Sequence, residues 1–257
     1  MNEINNIKID NAIILAAGYA SRFAPLSDIC PKALLPVKGE VLIERQIRQL
    51  LDAGIPEVYI VVGHKKELFR YLADKFPVTL IENSEYSSRN NHSSIYAARR
   101  HLKNSYICSS DNYFPLNPFT PTTDRPFYSA IYGQGPTDEY CLTTDPQGRI
   151  TNVVIGGHDS WYMLGHVCVD AAFSKKFLEY LEAAYPLAET KPLLWEHLYM
   201  QHLDTLTLHI KKYPADQILE FDTLADLAAF DPFYTTHTIP QLLTWLTTRQ
   251  QGSSPSA

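Results

Sequence analysis

The chain has 257 residues, 45% of them hydrophobic, and a formal charge of −6. That is enough apolar material for a sizeable core in one large domain or two small ones. A pI near 5.8 argues against nucleic acid as the main partner, because a phosphate backbone calls for a basic face. No apolar run approaches the roughly 20 residues of a membrane span. The opening MNEINNIKID has no apolar signal core. Cys30, Cys108, Cys141 and Cys168 are widely spaced with no C-x-x-C, which suits buried free thiols in a reducing cytoplasm.

Residues 1–10 are expected to be a flexible leader. Ala12-Ile13-Ile14-Leu15 reads as a buried strand. A Pro-bounded loop follows, and then a helix over Val41–Ala53 with Ile43, Ile47 and Leu50 on one face and Gly54 as its stop. Val58–Val62 is a strand buried on both sides. Lys66–Phe76 reads as a second helix, Val78–Ile81 as a strand, Ser93–Leu102 as a third helix and Tyr106–Cys108 as a fourth strand. Strands alternating with helices imply parallel pairing.

The rhythm changes after Asp111. Residues 114–126 hold four prolines and no periodicity, so a loop is expected. Four strands are predicted next: Phe127–Tyr132, Tyr140–Thr143, Ile150–Ile155 and Trp161–Val169, with Pro146-Gln147-Gly148 as a hairpin turn. Helices are predicted at Ala171–Ala184, Leu193–His202 and Thr223–Phe230, with a strand at Leu206–Ile210. Ile239–Thr248 reads as a terminal amphipathic helix and Gly252–Ala257 as a disordered tail. One globular unit over 11–234 is expected, with a nucleotide-binding half (11–114) and an acceptor-binding half (115–234); 235–257 is set apart as a C-terminal helix and tail.

The chemistry concentrates in Asn11–Pro36. After the first strand, which ends at Leu15, the residues Ala16, Ala17 and Gly18 offer no large side chain to hold a ligand away from the backbone, and Gly18 has backbone freedom besides; Leu15 is counted with them as a nucleotide contact. Ser21 and Arg22 follow, then Pro31-Lys32. Small residues at a strand end suit a base and ribose, where open α/β sheets place ligands. Arg22 offers a planar fork of donors for phosphate oxygens and Lys32 a compact charge. The competing reading is a buried strand followed by a solvated basic loop. Neither a G-x-G-x-x-G nor a P-loop spacing is present.

L-A-A-G-x-x-x-R followed by P-K-x-L-x-P resembles the signature of the sugar-phosphate and phosphocholine nucleotidyltransferases. The stretch is most similar to the bacterial phosphocholine cytidylyltransferases and their phosphonate-activating relatives, over roughly positions 11–230. The resemblance implies a Rossmann-like three-layer α/β/α fold with a mixed, mostly parallel sheet and an antiparallel acceptor-binding part. It implies transfer of CMP from CTP to phosphocholine or 2-aminoethylphosphonate with release of pyrophosphate. A sugar-1-phosphate nucleotidyltransferase and a non-catalytic nucleotide sensor are the alternatives. Arg22 and Lys32 would be catalytic. Mg²⁺ would sit on Asp111, which ends an apolar strand in SSDNYF, and on Asp222. In ILEFDT, Glu220 and Asp222 point to the same side of an extended segment, as a hard-cation site needs. Turn or N-cap roles are the competing readings for both aspartates.

ENSEYSSRNNHSSIY, between the third strand and the third helix, is rich in small polar groups. Asn90 and Asn91 match an Asn-Asn pair of the family, and Ser94 joins them as an expected nucleotide ligand. Arg89 is a cation for the acceptor phosphate. A quaternary ammonium is held by aromatic faces, so Tyr113, Trp161, Tyr162 and Trp195 are candidate cage members with Glu196 as the nearby acid. Each has a core reading beside it. The E-K-P segment of many sugar-nucleotide relatives is absent; Ile155-Gly156-Gly157-His158 stands near its place.

Overall fold

The computed structural model describes residues 6–250. Its centre is a mixed seven-stranded sheet. The strands are β1 (Asn11–Ala16), β2 (Val58–Val62), β3 (Val78–Glu82), β4 (Ser105–Ser109), β5 (Phe127–Thr144), β6 (Ile150–Val169) and β7 (His209–Lys212). Their order is β7-β5-β6-β4-β1-β2-β3. β1 runs parallel to β2 and β4, and β2 parallel to β3. β6 is antiparallel to both β4 and β5. The chain leaves β1 toward β2 on one side and comes back to β4 on the other. That reversal opens a crevice at the carboxyl ends of β1 and β4, where open α/β sheets bind ligands.

Period-two alternation assigns the two sheet faces. Ala12, Ile14, Ile60 and Cys108 face a core made with Ile43, Ile47 and Leu50 of helix α1 (Leu42–Asp52). Ile13, Val61 and Ile107 face a second core. It includes Ile95 of α3 (His92–Ala98), Phe173, Phe177 and Leu181 of α4 (Ala171–Ala184), and Trp195 and Leu198 of α5 (Trp195–Met200). Helices on both faces of a sheet make this an α/β fold. No disulfide joins the four buried cysteines. No helix among the described residues is long and apolar enough to cross a membrane.

Several elements depart from the sequence reading. The second helix is a 3-10 turn, Lys66–Phe69, followed by the short α2 (Tyr71–Lys75), because Lys65 enters it in a left-handed conformation. The four predicted outer strands are two long ones, β5 and β6, joined through Asp145–Gly148, where the Gly148 amide donates to the Asp145 carbonyl. Gly133, Gly135 and Pro136 look like a loop in sequence. In the fold they sit at register shifts inside the hairpin, which take up the extra residues. The leader is not free as far as residue 10. Ile7–Lys8 pair with Thr122–Thr123, and Ile9 is buried. Nor does the C-terminal helix stand apart: α8 (Ile239–Gln250) follows α6 (Leu224–Phe230) and α7 (Phe233–Thr236), and its Leu242 and Leu246 enter the core. The expected tail at Gly252–Ala257 lies outside the described residues.

Candidate active site

The crevice holds a cavity of about 270 Å³, most of whose lining comes from three segments. Leu15, Ala16, Ala17 and Gly18 form its floor at the end of β1; Ser109, Ser110 and Asp111 come from the end of β4 and the turn after it; Asn83, Asn90, Asn91, Ser93 and Ser94 come from the loop and helix between β3 and β4. Gly18 needs no unusual backbone angle, contrary to expectation. A methyl group placed on it would meet no protein atom within 4 Å. The space beside it is cavity, so the glycine keeps the backbone open to a ligand. Gly63 is tighter: a Cβ there would lie 2.7 Å from Tyr86 Cγ and 2.8 Å from the Ala17 carbonyl oxygen. Tyr86 lines the same cavity. Gly63→Ala is therefore expected to destabilise the fold by about 1–3 kcal/mol and to raise the nucleotide KM. Thermal melting and nucleotide titration check both.

Arg22 and Lys32 both reach the cavity. The backbone turns at Ala20, whose φ is 53°, so Ala20 and Arg22 line the cavity. Ser21 opens the short turn Ser21–Phe23, is exposed, and is not part of the cavity lining. Lys32 Nζ lies 3.1 Å from Asp111 Oδ2, with its side chain 10% exposed. Arg22 Nη2 lies 2.7 Å from Asp222 Oδ1. The aspartates are 111 positions apart in sequence. A two-residue antiparallel ladder joins them, with Asn112 opposite Glu220 and Tyr113 opposite Leu219. On the other side, Gln46 of α1 donates to the Ser109 carbonyl and fixes the end of β4.

Neither aspartate plays the ordinary role that competed with metal binding. Thr223, not Asp222, caps α6: its hydroxyl accepts from the Asp226 amide, and the Asp226 carboxylate accepts from the Thr223 amide. Asp111 caps no turn, and its Oδ1 is buried with no hydrogen-bond partner. Glu220 faces the same place. Burial first, and then the charges of Asp111 and Asp222, push its carboxyl up to about 8. An orphaned carboxylate oxygen beside a second carboxylate suits a hard cation such as Mg²⁺, which takes one or two carboxylates and completes its shell with water and substrate oxygens. Among the described residues no group of three or more His, Cys, Asp or Glu is placed to hold a metal on its own.

The loop before α3 is braced by its own polar groups. Asn90 Nδ2 donates to the Pro192 carbonyl and Asn90 Oδ1 accepts from the Asn91 amide. Asn91 Oδ1 accepts from the Trp195 amide, and Asn91 Nδ2 donates to Glu196. Both asparagines line the cavity, yet their amides tie the loop to α5. Sequence reasoning missed Asn83. It is buried and donates to the hydroxyls of Ser93 and Ser94 at 2.8 and 3.1 Å. Its only sequence signal was its position just past β3.

The expected aromatic cage does not assemble. Trp195 is 2% exposed and stacks on Tyr128 in the core. Trp161 has Lys212 over its ring at 4.6 Å, so a second cation there would be repelled. Tyr113 carries Arg45 over its ring at 4.7 Å and packs on Phe221 and Phe230. Arg89 lies on the nucleotide side, bonded to Glu85 and stacked over Tyr185. Tyr162 and Glu196 do meet other groups of interest. Burial, then the charges of Glu139 and Glu220, raise the Tyr162 phenol. Burial, then Asp222, raise the Glu139 carboxyl. Tyr128 donates to Glu196 at 3.3 Å and feels Glu220 as well, while the charges of Glu196 and Glu139 act on Tyr140. Burial pushes Glu196 up to about 7. The fields of Glu139, Glu196 and Glu220 thus overlap on the phenols of Tyr128, Tyr140 and Tyr162, and Glu220 also feels Asp111 and Asp222.

The family model of the MobA-like NTP transferase domain matches residues 12–207. The chain is 37% identical over 234 residues to the 2-aminoethylphosphonate cytidylyltransferase of Lancefieldella rimae, covering 90% of this chain and 95% of that protein. It is 32% identical over 215 residues to the choline-phosphate cytidylyltransferase of Streptococcus pneumoniae, covering 84% and 94%. The solved CTP:phosphocholine cytidylyltransferase of S. pneumoniae superposes with a TM-score of 0.84 at 31% identity, over 88% of this chain and 99% of that one. By sequence and by fold, this chain belongs to the MobA-like NTP transferase family and is a nucleotidyltransferase.

Proposed function

We propose that the enzyme transfers CMP from CTP to a small acceptor carrying a phosphonate or phosphate at one end and an ammonium at the other. One observation carries this reading: the Lys32–Asp111 and Arg22–Asp222 pairs adjoin the acid and phenol cluster through Glu220. An acceptor anion beside the first group would leave its cation within the second. The relatives described above, which act on 2-aminoethylphosphonate and on phosphocholine by name, support the same reading.

Of the two, the primary amine fits better. Three carboxyls and three phenols can accept hydrogen bonds from an ammonium N–H, and a trimethylammonium has none to give. The aromatic faces expected for it are covered at Trp195, Trp161 and Tyr113. 2-Aminoethylphosphonate is accordingly the acceptor we favour, ahead of the phosphocholine that the sequence resemblance suggested.

The acceptor oxygen attacks the α-phosphorus of CTP in line. The new P–O bond forms as the bond to the β-phosphate oxygen breaks, and pyrophosphate leaves with that electron pair. Both reactants are anions, so catalysis is mostly neutralisation and alignment. Arg22 would hold the β and γ phosphates, and Lys32 the α-phosphate or the acceptor oxygen. Asp111 and Asp222 would hold Mg²⁺, which when bound neutralises phosphate charge.

Pyrophosphate release tests the reading. Four nucleoside triphosphates are crossed with 2-aminoethylphosphonate, phosphocholine and glucose-1-phosphate, with Mg²⁺ present. Release with CTP and 2-aminoethylphosphonate at the highest kcat/KM is expected. A higher kcat/KM with phosphocholine would return the acceptor to the quaternary amine. Release with glucose-1-phosphate alone would sink the amine reading, and silence from folded protein that binds CTP would favour a sensor.

A further inference from the structure

The far wall of the cavity, away from Arg22 and Lys32, carries two hydrogen-bond donors left over from the fold. The first is Arg89. Its side chain is 8% exposed, and Nε bonds to Glu85 Oε1 at 3.2 Å. The guanidinium lies over the Tyr185 ring at 4.2 Å, and the Tyr185 hydroxyl donates to the same Glu85 carboxylate. These contacts clamp the group in place. They leave Nη1 buried with no partner, in a residue that lines the cavity.

The second donor is Ser94, and its polarity can be deduced. Asn83 Oδ1 accepts from the Glu85 amide at 2.9 Å, which fixes the amide so that Nδ2 faces the serines. Nδ2 then donates to both Ser93 Oγ and Ser94 Oγ. Ser93 passes its own proton to the Asn90 carbonyl at 2.7 Å. Ser94 Oγ already accepts, and no acceptor for its proton is found among the described residues. Ser94 lines the cavity too, so that proton is free to meet a ligand.

We propose that Arg89 and Ser94 present two hydrogen-bond donors that together select cytosine over uracil. Cytosine presents two adjacent acceptors, N3 and O2. Uracil presents an N3–H donor beside O2. Two donors satisfy cytosine, whereas the N3–H of uracil meets either the guanidinium, which cannot accept, or a hydroxyl whose own proton is then left without a partner in a buried place. A site built on such bonds rejects the mismatched ligand more strongly than an apolar pocket does. The proposal rests on CTP being the nucleotide.

The test is kcat/KM for CTP and for UTP on the full chain with saturating acceptor, together with titrations of CMP and UMP that need no turnover. Ser94→Ala is expected to lower the CTP:UTP ratio by about tenfold. Arg89→Gln is expected to lower it by at least as much and to raise UMP binding, since a Gln carbonyl can accept from uracil N3–H. Ser94→Thr keeps the hydroxyl and should keep the ratio. A merely structural role would shift melting and weaken both nucleotides alike. A ratio unchanged within about twofold in both Ser94→Ala and Arg89→Gln, with wild type still preferring CTP, overturns this inference alone. Equal use of CTP and UTP by wild type overturns the CTP reading and this inference with it.

Discussion

Lys32→Ala and Asp111→Asn are each expected to cut turnover by about 10³-fold or more, with little loss of folding. Lys32 is the least exposed cation at the reaction centre, held 3.1 Å from Asp111 and 10% exposed. Two reacting anions repel one another, and among the described residues no other ammonium lines this cavity. Asp111 is the carboxylate with an oxygen that the fold leaves unpaired. Asp111→Asn keeps the shape and removes a charge that helps hold Glu220 protonated. Its thermal stability should therefore equal or exceed that of wild type, as expected where a site stores charge repulsion for function. Pyrophosphate release and thermal melting give the two readouts. Near-wild-type turnover in either variant would remove the residue from catalysis, and a collapsed melting curve would make its role structural.

These pairs also say something about the ligand-free site. On the proposed reading, each cation assigned to phosphate is paired with a carboxylate assigned to metal: Lys32 with Asp111, Arg22 with Asp222. The Arg22 pair is well exposed, at 64% and 38%, so it contributes little to stability and exchanges partners at small cost. A nucleotide arriving with its metal ion can part both pairs while leaving every charge matched.

How much of this was legible in the sequence depends on whether the signal was local. Val58–Val62 was read as a buried strand and is one, because an uninterrupted apolar run of this length has a single comfortable place in the fold. The signature loop was legible for a similar reason: Leu15–Gly18, Arg22 and Lys32 lie within 18 consecutive positions and form one wall of the cavity. Asp222 was named as a site residue through the resemblance, and in the fold it lines the cavity. Its approach to Asp111 depends on the ladder between Asn112–Tyr113 and Leu219–Glu220, which has no local signature. The acceptor cluster was the least visible part. Glu139, Tyr128 and Tyr140 are brought together by a hairpin whose bulges read as loops. The tryptophans chosen in their place followed the commoner fate of aromatics in apolar runs and went into packing. The acidic pair Asp138-Glu139 just before Tyr140, downstream of Gly133 and Gly135, was the one available hint.

Glu196→Gln is expected to raise the acceptor KM by about tenfold or more and to leave the CTP KM unchanged. Glu196 accepts from Asn91 Nδ2 and from the Tyr128 hydroxyl, and Tyr140 and Trp195 complete its surroundings. Burial holds its carboxyl up at about 7, so below that pH it is largely neutral and has little hold on an ammonium. Binding a cation favours the ionised form, and the acceptor KM should therefore fall as pH rises through about 7. The Gln variant cannot ionise, so this limb should vanish while the acceptor's own titration stays in both profiles. The same carboxyl links to stability with the opposite sense. Its folded pKa lies above its unfolded value, so the folded chain keeps a proton that the unfolded chain releases, and stability drains away as pH rises toward 7. Without acceptor, Glu196→Gln should melt several degrees higher than wild type at pH 8 and close to it at pH 5. Matching KM–pH profiles for wild type and variant would take Glu196 out of the acceptor site. If the two proteins also melted alike at pH 8, the carboxyl would have to be charged and well solvated in the free enzyme.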